Sequence, residues 1–176
     1  MKHILIVVDM QKDFVDGALG TAEAVAIVEN VAAKIQAHNG PIVVTYDTHE
    51  ETYMSTAEGK KLPVPHCIKN TDGWQLNGRV ADALAGKEYS SIEKPTFGSV
   101  ALPGLVEKIA AGEDFSLELI GLCTDICVVS NALLLKANFP EVPIFVDASC
   151  CAGVTPESHN AALTTMSFCQ IDITNR

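Results

Sequence analysis

The stretch Gly121-Leu122-Cys123-Thr124-Asp125-Ile126-Cys127-Val128 joins a strand-like segment to a helix-like one. Residues 115–120, just before it, are predicted to form a strand, and residues 124–137 have the pattern of a helix. Thr124 or Asp125 can cap that helix with a side-chain oxygen. The stretch therefore predicts a strand, a tight turn and a helix start in direct succession.

The same alternation continues toward both ends of the 176-residue chain. Strands are predicted at residues 4–8, 42–46, 90–93, 115–120, 142–146 and 171–173. Helices are predicted at residues 21–38, 75–84, 103–111, 124–137 and 156–168. About six strands alternating with helices predict an α/β fold, a three-layer α/β/α sandwich around a mostly parallel sheet. Because no linker or repeat interrupts the pattern, we expect a single domain over residues 1–176.

Composition narrows the class of protein. Hydrophobic residues make up 48 % and charged residues 19 %, which is typical of a globular chain. The formal net charge of −10 argues against a nucleic-acid partner, and no apolar run approaches the roughly 20 residues of a membrane helix. The apolar start of the chain is short and ends at Asp9, so it indicates a strand rather than a signal peptide. With six cysteines and a full core, we expect reduced thiols and a cytoplasmic location.

Polar residues recur where the predicted strands end. Asp9, Asp47, Lys94 and Asp147 follow or close four strands, and the strand that ends at Gly121 leads to Cys127. In parallel sheets, ligands bind beyond the carboxyl ends of the strands. The sequence therefore predicts that its reactive side chains collect at one edge of the sheet.

Cys127 is the candidate nucleophile. A thiol in the first turn of a helix faces free backbone N–H groups and the positive end of the helix dipole, which favour thiolate and can hold an oxyanion. Asp9 can act as general base, and a cation at Lys94 can stabilise both groups. Taken singly, each residue has an ordinary structural interpretation. Cys127 would be a small buried hydrophobic residue, Asp9 a cap at the end of a strand, and Lys94 a surface lysine. The functional interpretation depends on all three lying at the same edge.

A second candidate site lies in the aperiodic loop of residues 47–73, because loops of this length are usually functional. Asp47 and His49 point the same way on extended backbone, and His66 comes from the same loop. Glu58 lies between them and can supply a fourth ligand. Such a set suits Zn²⁺, Mn²⁺ or Fe²⁺ better than Mg²⁺. The alternative is a polar loop with scattered histidines.

Three motifs resemble those of the isochorismatase-like cysteine hydrolases, and within them the nicotinamidases. They are Val8-Asp9-Met10-Gln11-Lys12-Asp13-Phe14, the segment around Lys94, and Thr124-Asp125-Ile126-Cys127-Val128. The resemblance covers nearly the whole chain. It implies an isochorismatase-like, Rossmann-like fold and a catalytic triad of Asp9, Lys94 and Cys127.

The resemblance also implies the surroundings of that triad. Asp47, His49 and His66 match the family's metal ligands, and Glu58 is similar to an extra ligand of some members. A cis Leu122–Cys123 bond would bring the Cys123 N–H beside that of Cys127 to form an oxyanion hole.

The expected substrate pocket departs from the family pattern at one position. Phe14, Phe97 and Leu122 are predicted to line the pocket. The family places a ring-stacking aromatic three residues before the position of His66, where this chain has Pro63. The mechanism does not depend on that position, but the choice of amide does.

Together these features predict a metal-containing cysteine amidohydrolase with zinc as the first choice of metal, acting on a small amide such as nicotinamide. We expect a homodimer or homotetramer from the resemblance. Another small amide or ureido substrate, or a metal-binding homologue without catalysis, stays open. A flavodoxin-like module is disfavoured, because Asp9-Met10-Gln11-Lys12 has no glycine-rich phosphate cradle.

Overall fold

A computed structural model describes all 176 residues. Its six strands form one sheet in the order β3-β2-β1-β4-β5-β6, and every neighbouring pair is parallel. The strands are β1 (Lys2–Val8), β2 (Ile42–Asp47), β3 (Tyr89–Lys94), β4 (Phe115–Leu122), β5 (Ile144–Ala152) and β6 (Asp172–Thr174).

Eight α-helices cover the sheet. They are α1 (Lys12–Val15), α2 (Ala22–Ala26), α3 (Val28–Ala37), α4 (Ala57–Lys61), α5 (Gly78–Leu84), α6 (Leu102–Ala110), α7 (Val129–Asn138) and α8 (Pro156–Phe168). Helices α6, α7 and α8 pack on one face, and α2, α3 and α5 pack on the other. The predicted three-layer α/β/α sandwich is therefore confirmed, with a sheet that is wholly parallel.

The central strand β1 shows why both faces need helices. Its residues alternate between two hydrophobic clusters: Ile4, Ile6 and Val8 belong to one, and Leu5 and Val7 to the other. All five are completely buried. A continuous apolar run of this kind is expected for a strand covered on both sides.

Three local predictions were wrong. The helix predicted at residues 21–38 is two helices, α2 and α3, which are separated at Ile27. The loop of residues 47–73 contains a 3₁₀ turn (Tyr53–Ser55) and α4. Residues 124–128 form a π-helical turn before α7, and neither Thr124 nor Asp125 caps it. Instead Thr124 bonds the ring of His159 (Oγ1 to Nδ1, 2.8 Å), and Asp125 accepts from the Val154 N–H.

Asp147 does not end a strand. Strand β5 continues five residues beyond it, to Ala152, because the small residues that follow are nearly all buried in the sheet. The Asp147 carboxylate pairs with Lys34 at 2.7 Å, away from the edge where the other polar strand ends meet. Asp147 therefore lies outside the candidate site.

The strand order places a crevice between β1 and β4. Chain order reverses there, and in such sheets the reversal point is where ligands bind. No helix of the protein combines the length and the apolar character needed to cross a membrane.

Candidate active site

Four neighbouring strands bring the predicted reactive residues to one edge of the sheet. Asp47 and Lys94 are the last residues of β2 and β3 and are partners in register. Asp9 follows β1, and Cys127 follows β4. The approach of β4 to β1 requires glycine at 121, because a Cβ there would lie 2.1 Å from the Val8 carbonyl oxygen at a φ of +114°.

Lys94 is the centre of the cluster. Its Nζ lies 2.6 Å from Asp9 Oδ2, 3.3 Å from Asp47 Oδ1 and 3.4 Å from Cys127 Sγ. The Asp9 and Lys94 side chains are both fully buried. A cation enclosed in this way must be paired, and here it is shared between two carboxylates and a thiol.

Asp9 is held ready to accept a proton. Burial raises its pKa above the usual range of a carboxyl, although Lys94 and the hydroxyl of Thr45 act in the opposite direction. Thr45 Oγ1 donates to Asp9 Oδ1 at 2.6 Å, and Asp9 Oδ2 has no hydrogen-bond partner with good geometry. One carboxylate oxygen is thus anchored by Thr45, and the other is ion-paired with Lys94. A φ of +47° at Asp9 gives this residue a backbone conformation that is uncommon outside glycine.

The pKa of the Cys127 thiol is raised, contrary to the expectation from its place near a helix start. Burial, and after it the negative charge of Asp9, raise its pKa well above the usual value, although Lys94 lowers it. Attack by this sulfur therefore requires a base beside it. Asp9, whose pKa is also raised, fits that need.

The turn before Cys127 has the backbone that the resemblance implied. The Leu122–Cys123 peptide bond is cis. No carbonyl or side chain of the protein accepts a hydrogen bond from the Cys123 N–H. This N–H is therefore available to a ligand, and Cys123 and Cys127 line the same cavity.

Asp47, His49, His66 and Glu58 converge as a metal-ligating set would. The ligand atoms of Asp47, His49 and His66 all lie within 4.8 Å of one another, and these three residues are buried. Glu58 Oε1 lies 3.7 Å from His49 Nε2 and 3.6 Å from His66 Nε2. The set of two imidazoles and two carboxylates suits a divalent metal such as zinc.

Two polar atoms in this cluster support the fit to a metal. His49 Nε2 is buried without a hydrogen-bond partner, although Asp47 Oδ2 is only 2.9 Å away. His66 Nδ1 lies 2.8 Å from the Val64 carbonyl, which can only accept, so the His66 Nε2 lone pair faces the cluster.

Sequence reasoning missed the residues that hold this cluster in place. Gln11 is fully buried and bonds the backbone of Asp47 twice, accepting from its N–H at 2.8 Å and donating to its carbonyl at 2.9 Å. Asp13 accepts from the Cys67 N–H beside His66 at 2.8 Å. Gln11 and Asp13 lie in the same motif as Asp9, but their partners are distant in sequence. Only the fold reveals these contacts.

A cavity of about 240 Å³ connects the thiol to the metal-ligating cluster. Phe14 and Phe97 line it. Leu122 does not line the cavity, which corrects the prediction. Its side chain is completely buried in the hydrophobic core, on the face of the sheet that α2, α3 and α5 cover. Pro63 is exposed and does not line the cavity. Trp74 packs on Tyr46 and does not line the cavity either.

Residues 3–175 match the family model described as the isochorismatase domain. The chain belongs to the isochorismatase family. An uncharacterised isochorismatase family protein of Bacillus subtilis is 30 % identical over 174 residues, and the match covers 93 % of each chain. The family membership confirms the predicted resemblance and the predicted class of enzyme, a hydrolase.

Two solved structures of the same fold are similar over nearly the full length. The nicotinamidase/pyrazinamidase of Bacillus subtilis has a TM-score of 0.85 and 28 % identity, with 98 % of this chain and 99 % of that chain covered. The pyrazinamidase of Pyrococcus horikoshii in complex with zinc has a TM-score of 0.81 and 25 % identity, with both chains fully covered. The zinc complex of the second neighbour, together with the cluster of Asp47, His49 and His66, supports a divalent metal in a site of this kind.

Proposed function

We propose that this protein is a metal-containing cysteine amidohydrolase that converts nicotinamide and water to nicotinate and ammonia. The observation that carries the proposal is the cluster around Lys94, in which a buried carboxylate and a buried thiol share one cation. The thiol lines the same cavity as Asp47 and His66 of the metal-ligating set. Similarity to nicotinamidases and pyrazinamidases supports the choice of substrate.

The chemistry follows from the raised pKa values of Asp9 and Cys127 and from the cation of Lys94 between them. Asp9 takes the proton of Cys127 and becomes neutral, and the Lys94 cation stabilises the resulting thiolate. The thiolate attacks the amide carbonyl, and the N–H groups of Cys123 and Cys127 stabilise the oxyanion. Protonated Asp9 then gives its proton to the departing ammonia. A thioester remains on Cys127 and is cleaved by a water molecule that Asp9 deprotonates.

The metal-ligating set binds and orients rather than activating the nucleophile. Asp47, His49 and His66, with Glu58 as a further ligand, would hold a divalent ion, for which zinc is our first choice. When bound, that ion supplies a Lewis acid able to bind a ring nitrogen or a water ligand. Proton transfer in the reaction is carried by Asp9.

The lining of the cavity favours an uncharged amide over an anionic ureido acid. No lysine or arginine side chain lines it, whereas Asp47 and Glu58 do. A substrate carboxylate would find no lysine or arginine of the lining to pair with, and it would have to compete with Asp47 and Glu58 for the divalent ion. The apolar side chains, including Phe14 and Phe97, suit a flat ring.

Ammonia release from nicotinamide, pyrazinamide and a ureido acid tests this proposal. We expect turnover of the first two amides by the zinc-loaded protein and none by Cys127→Ala. Cys169→Ala removes an exposed cysteine outside the cavity and should keep full activity. Full turnover in Cys127→Ala would disprove the thioester route, and failure to hydrolyse any amide would leave a metal-binding homologue.

The proposal also covers the cellular compartment and the oligomeric state of the enzyme. All six cysteines are free, which supports a reducing compartment, the cytoplasm. We also propose a homodimer or homotetramer, supported by apolar side chains such as Val100 and Phe168, which are each 86 % exposed. Sedimentation of the purified protein gives its oligomeric state directly, and a monomer would refute this part.

A further inference from the structure

Asn131 links the nucleophile to the wall of the cavity. It lies one turn after Cys127 in α7 and is completely buried. Its Nδ2 donates to the Cys127 carbonyl at 2.8 Å and to the Phe97 carbonyl at 3.2 Å, and its Oδ1 accepts from the Ser99 N–H at 2.9 Å. One side chain therefore ties the turn that carries the thiol to the loop that carries Phe97.

These contacts require a carboxamide. Asparagine has two N–H donors and a carbonyl acceptor, whereas aspartate has no donor and leucine has neither. Asparagine is also a poor residue for a helix interior, and a buried amide is unfavourable unless it is hydrogen-bonded. Bridging the two segments accounts for the presence of Asn131 at this position.

The loop that Asn131 holds is part of the site. It runs over residues 95–101, from Lys94 at the end of β3 to the start of α6. Gly98 brings it close to α7, since a Cβ at that position would lie 3.3 Å from the Ser130 carbonyl oxygen. The Phe97 side chain lines the cavity, yet it is 46 % exposed. Because nearly half of the Phe97 side chain is exposed, packing fixes the ring only weakly. The position of the ring therefore depends on the backbone that Asn131 binds.

We propose that Asn131 is a positioning residue that sets the affinity for the ring of the substrate by holding Phe97 at a fixed distance from Cys127. The inference rests on the proposed amidohydrolase function and adds a determinant of substrate binding. Asn131 touches neither the substrate nor the reacting atoms. It acts through the two backbone carbonyls to which it donates.

Replacement by serine separates the two roles of Asn131. Ser130 in the same turn donates from Oγ to the Ile126 carbonyl four residues back, at 2.6 Å, so Asn131→Ser can bond the Cys127 carbonyl in the same way. It cannot reach the loop. With nicotinamide and the zinc-loaded protein, we expect the KM to rise about tenfold and the kcat to stay within about twofold.

Replacement by leucine removes both contacts. Asn131→Leu should raise the KM by the same factor and also lower the kcat about tenfold, because the Cys127 carbonyl loses its donor. Asn138 provides a matched control, since its Nδ2 makes the same kind of bond, to the Leu134 carbonyl at 2.8 Å, on the exposed part of α7. Asn138→Ser should change neither constant beyond about twofold.

A double-mutant cycle with Phe97→Ala decides whether Asn131 acts through that ring. With the ring absent, Asn131→Ser should raise the KM by less than about threefold. Additive effects in the two backgrounds, or an unchanged KM in Asn131→Ser, would overturn the inference while the wild-type turnover upholds the proposed function. Wild-type protein without amidase activity would remove both. If Asn131→Leu fails to fold, the serine variant and the cycle still give the answer.

Discussion

Lys94 Nζ lies 2.6 Å from Asp9 Oδ2, and water reaches neither side chain. The same nitrogen lies 3.3 Å from Asp47 Oδ1, and Asp47 is also part of the metal-ligating set. One buried cation therefore connects the acid–base pair to the metal-ligating cluster. A change at Lys94 must affect the charge balance of both.

Lys94→Met should destabilise the protein as well as inactivate it. The variant leaves Asp9 and Asp47 as two buried carboxylates without their cation, and loss of one partner of a buried pair typically lowers the free energy of unfolding by about 3–5 kcal/mol. Urea unfolding at neutral pH measures this change. Lys108 is exposed on α6, so Lys108→Met should change the same quantity by less than about 0.5 kcal/mol. Equal stability of the two variants would mean that the buried cation is dispensable.

Thr45→Val should move the acid limb of the pH profile to higher pH. Asp9 must be ionised to accept the thiol proton, so activity is lost as the pH falls through the pKa of Asp9. The Thr45 hydroxyl favours the ionised form, and its removal raises that pKa further above the usual carboxyl range. The measurement is kcat/KM for nicotinamide against pH. Thr71→Val, which changes an exposed hydroxyl far along the loop, should leave the limb in place. A limb that stays fixed in Thr45→Val would exclude Asp9 as the titrating group.

Much of the fold could be predicted, because the inner strands are rich in apolar residues and several helices have a periodic apolar face, as β1 and α6 show. Polar residues at the strand ends also predicted which side chains meet. Asp147 was misplaced because the strand continues through a charged residue, and its partner Lys34 is remote in sequence. The roles of Gln11 and Asn131 were missed for a related reason: both bond backbone atoms that come near only after folding.

His66→Ala should weaken metal binding. His66 Nε2 lies 3.6 Å from both Asp47 Oδ2 and Glu58 Oε1. The variant therefore removes the imidazole nitrogen that would bind the metal between the two carboxylates. A ligand that binds only the folded state stabilises it, by about 2.7 kcal/mol at a concentration of 100 times its Kd. We therefore expect zinc to raise the melting temperature of the wild type and to have little effect on His66→Ala. Calorimetric titration with zinc gives the affinities. His38 is a half-buried histidine outside the set, so His38→Ala should bind zinc as the wild type does. Equal affinity in all three proteins would place the metal elsewhere.

Asp147→Asn should flatten the acid dependence of stability without affecting the active site. Burial alone would raise the pKa of Asp147, but hydrogen bonds from Lys34, Ser149 and Asn175 outweigh it and hold that pKa below the usual range. Because the folded pKa is lower than the unfolded one, the unfolded chain binds more protons between the two values. The stabilisation is therefore present at neutral pH and is lost progressively below about pH 5.

Urea unfolding between pH 3 and neutrality, at about half-unit steps, measures that dependence. The wild-type free energy of unfolding should fall more steeply with acid than that of Asp147→Asn, whereas nicotinamide turnover at neutral pH should be the same in both proteins. Asp114→Asn, at an exposed carboxylate with no ion pair, should follow the wild-type curve. Parallel curves for wild type and Asp147→Asn would show that the Lys34 pair does not stabilise the folded state. Loss of turnover in Asp147→Asn would return Asp147 to the active edge, where the sequence had placed it.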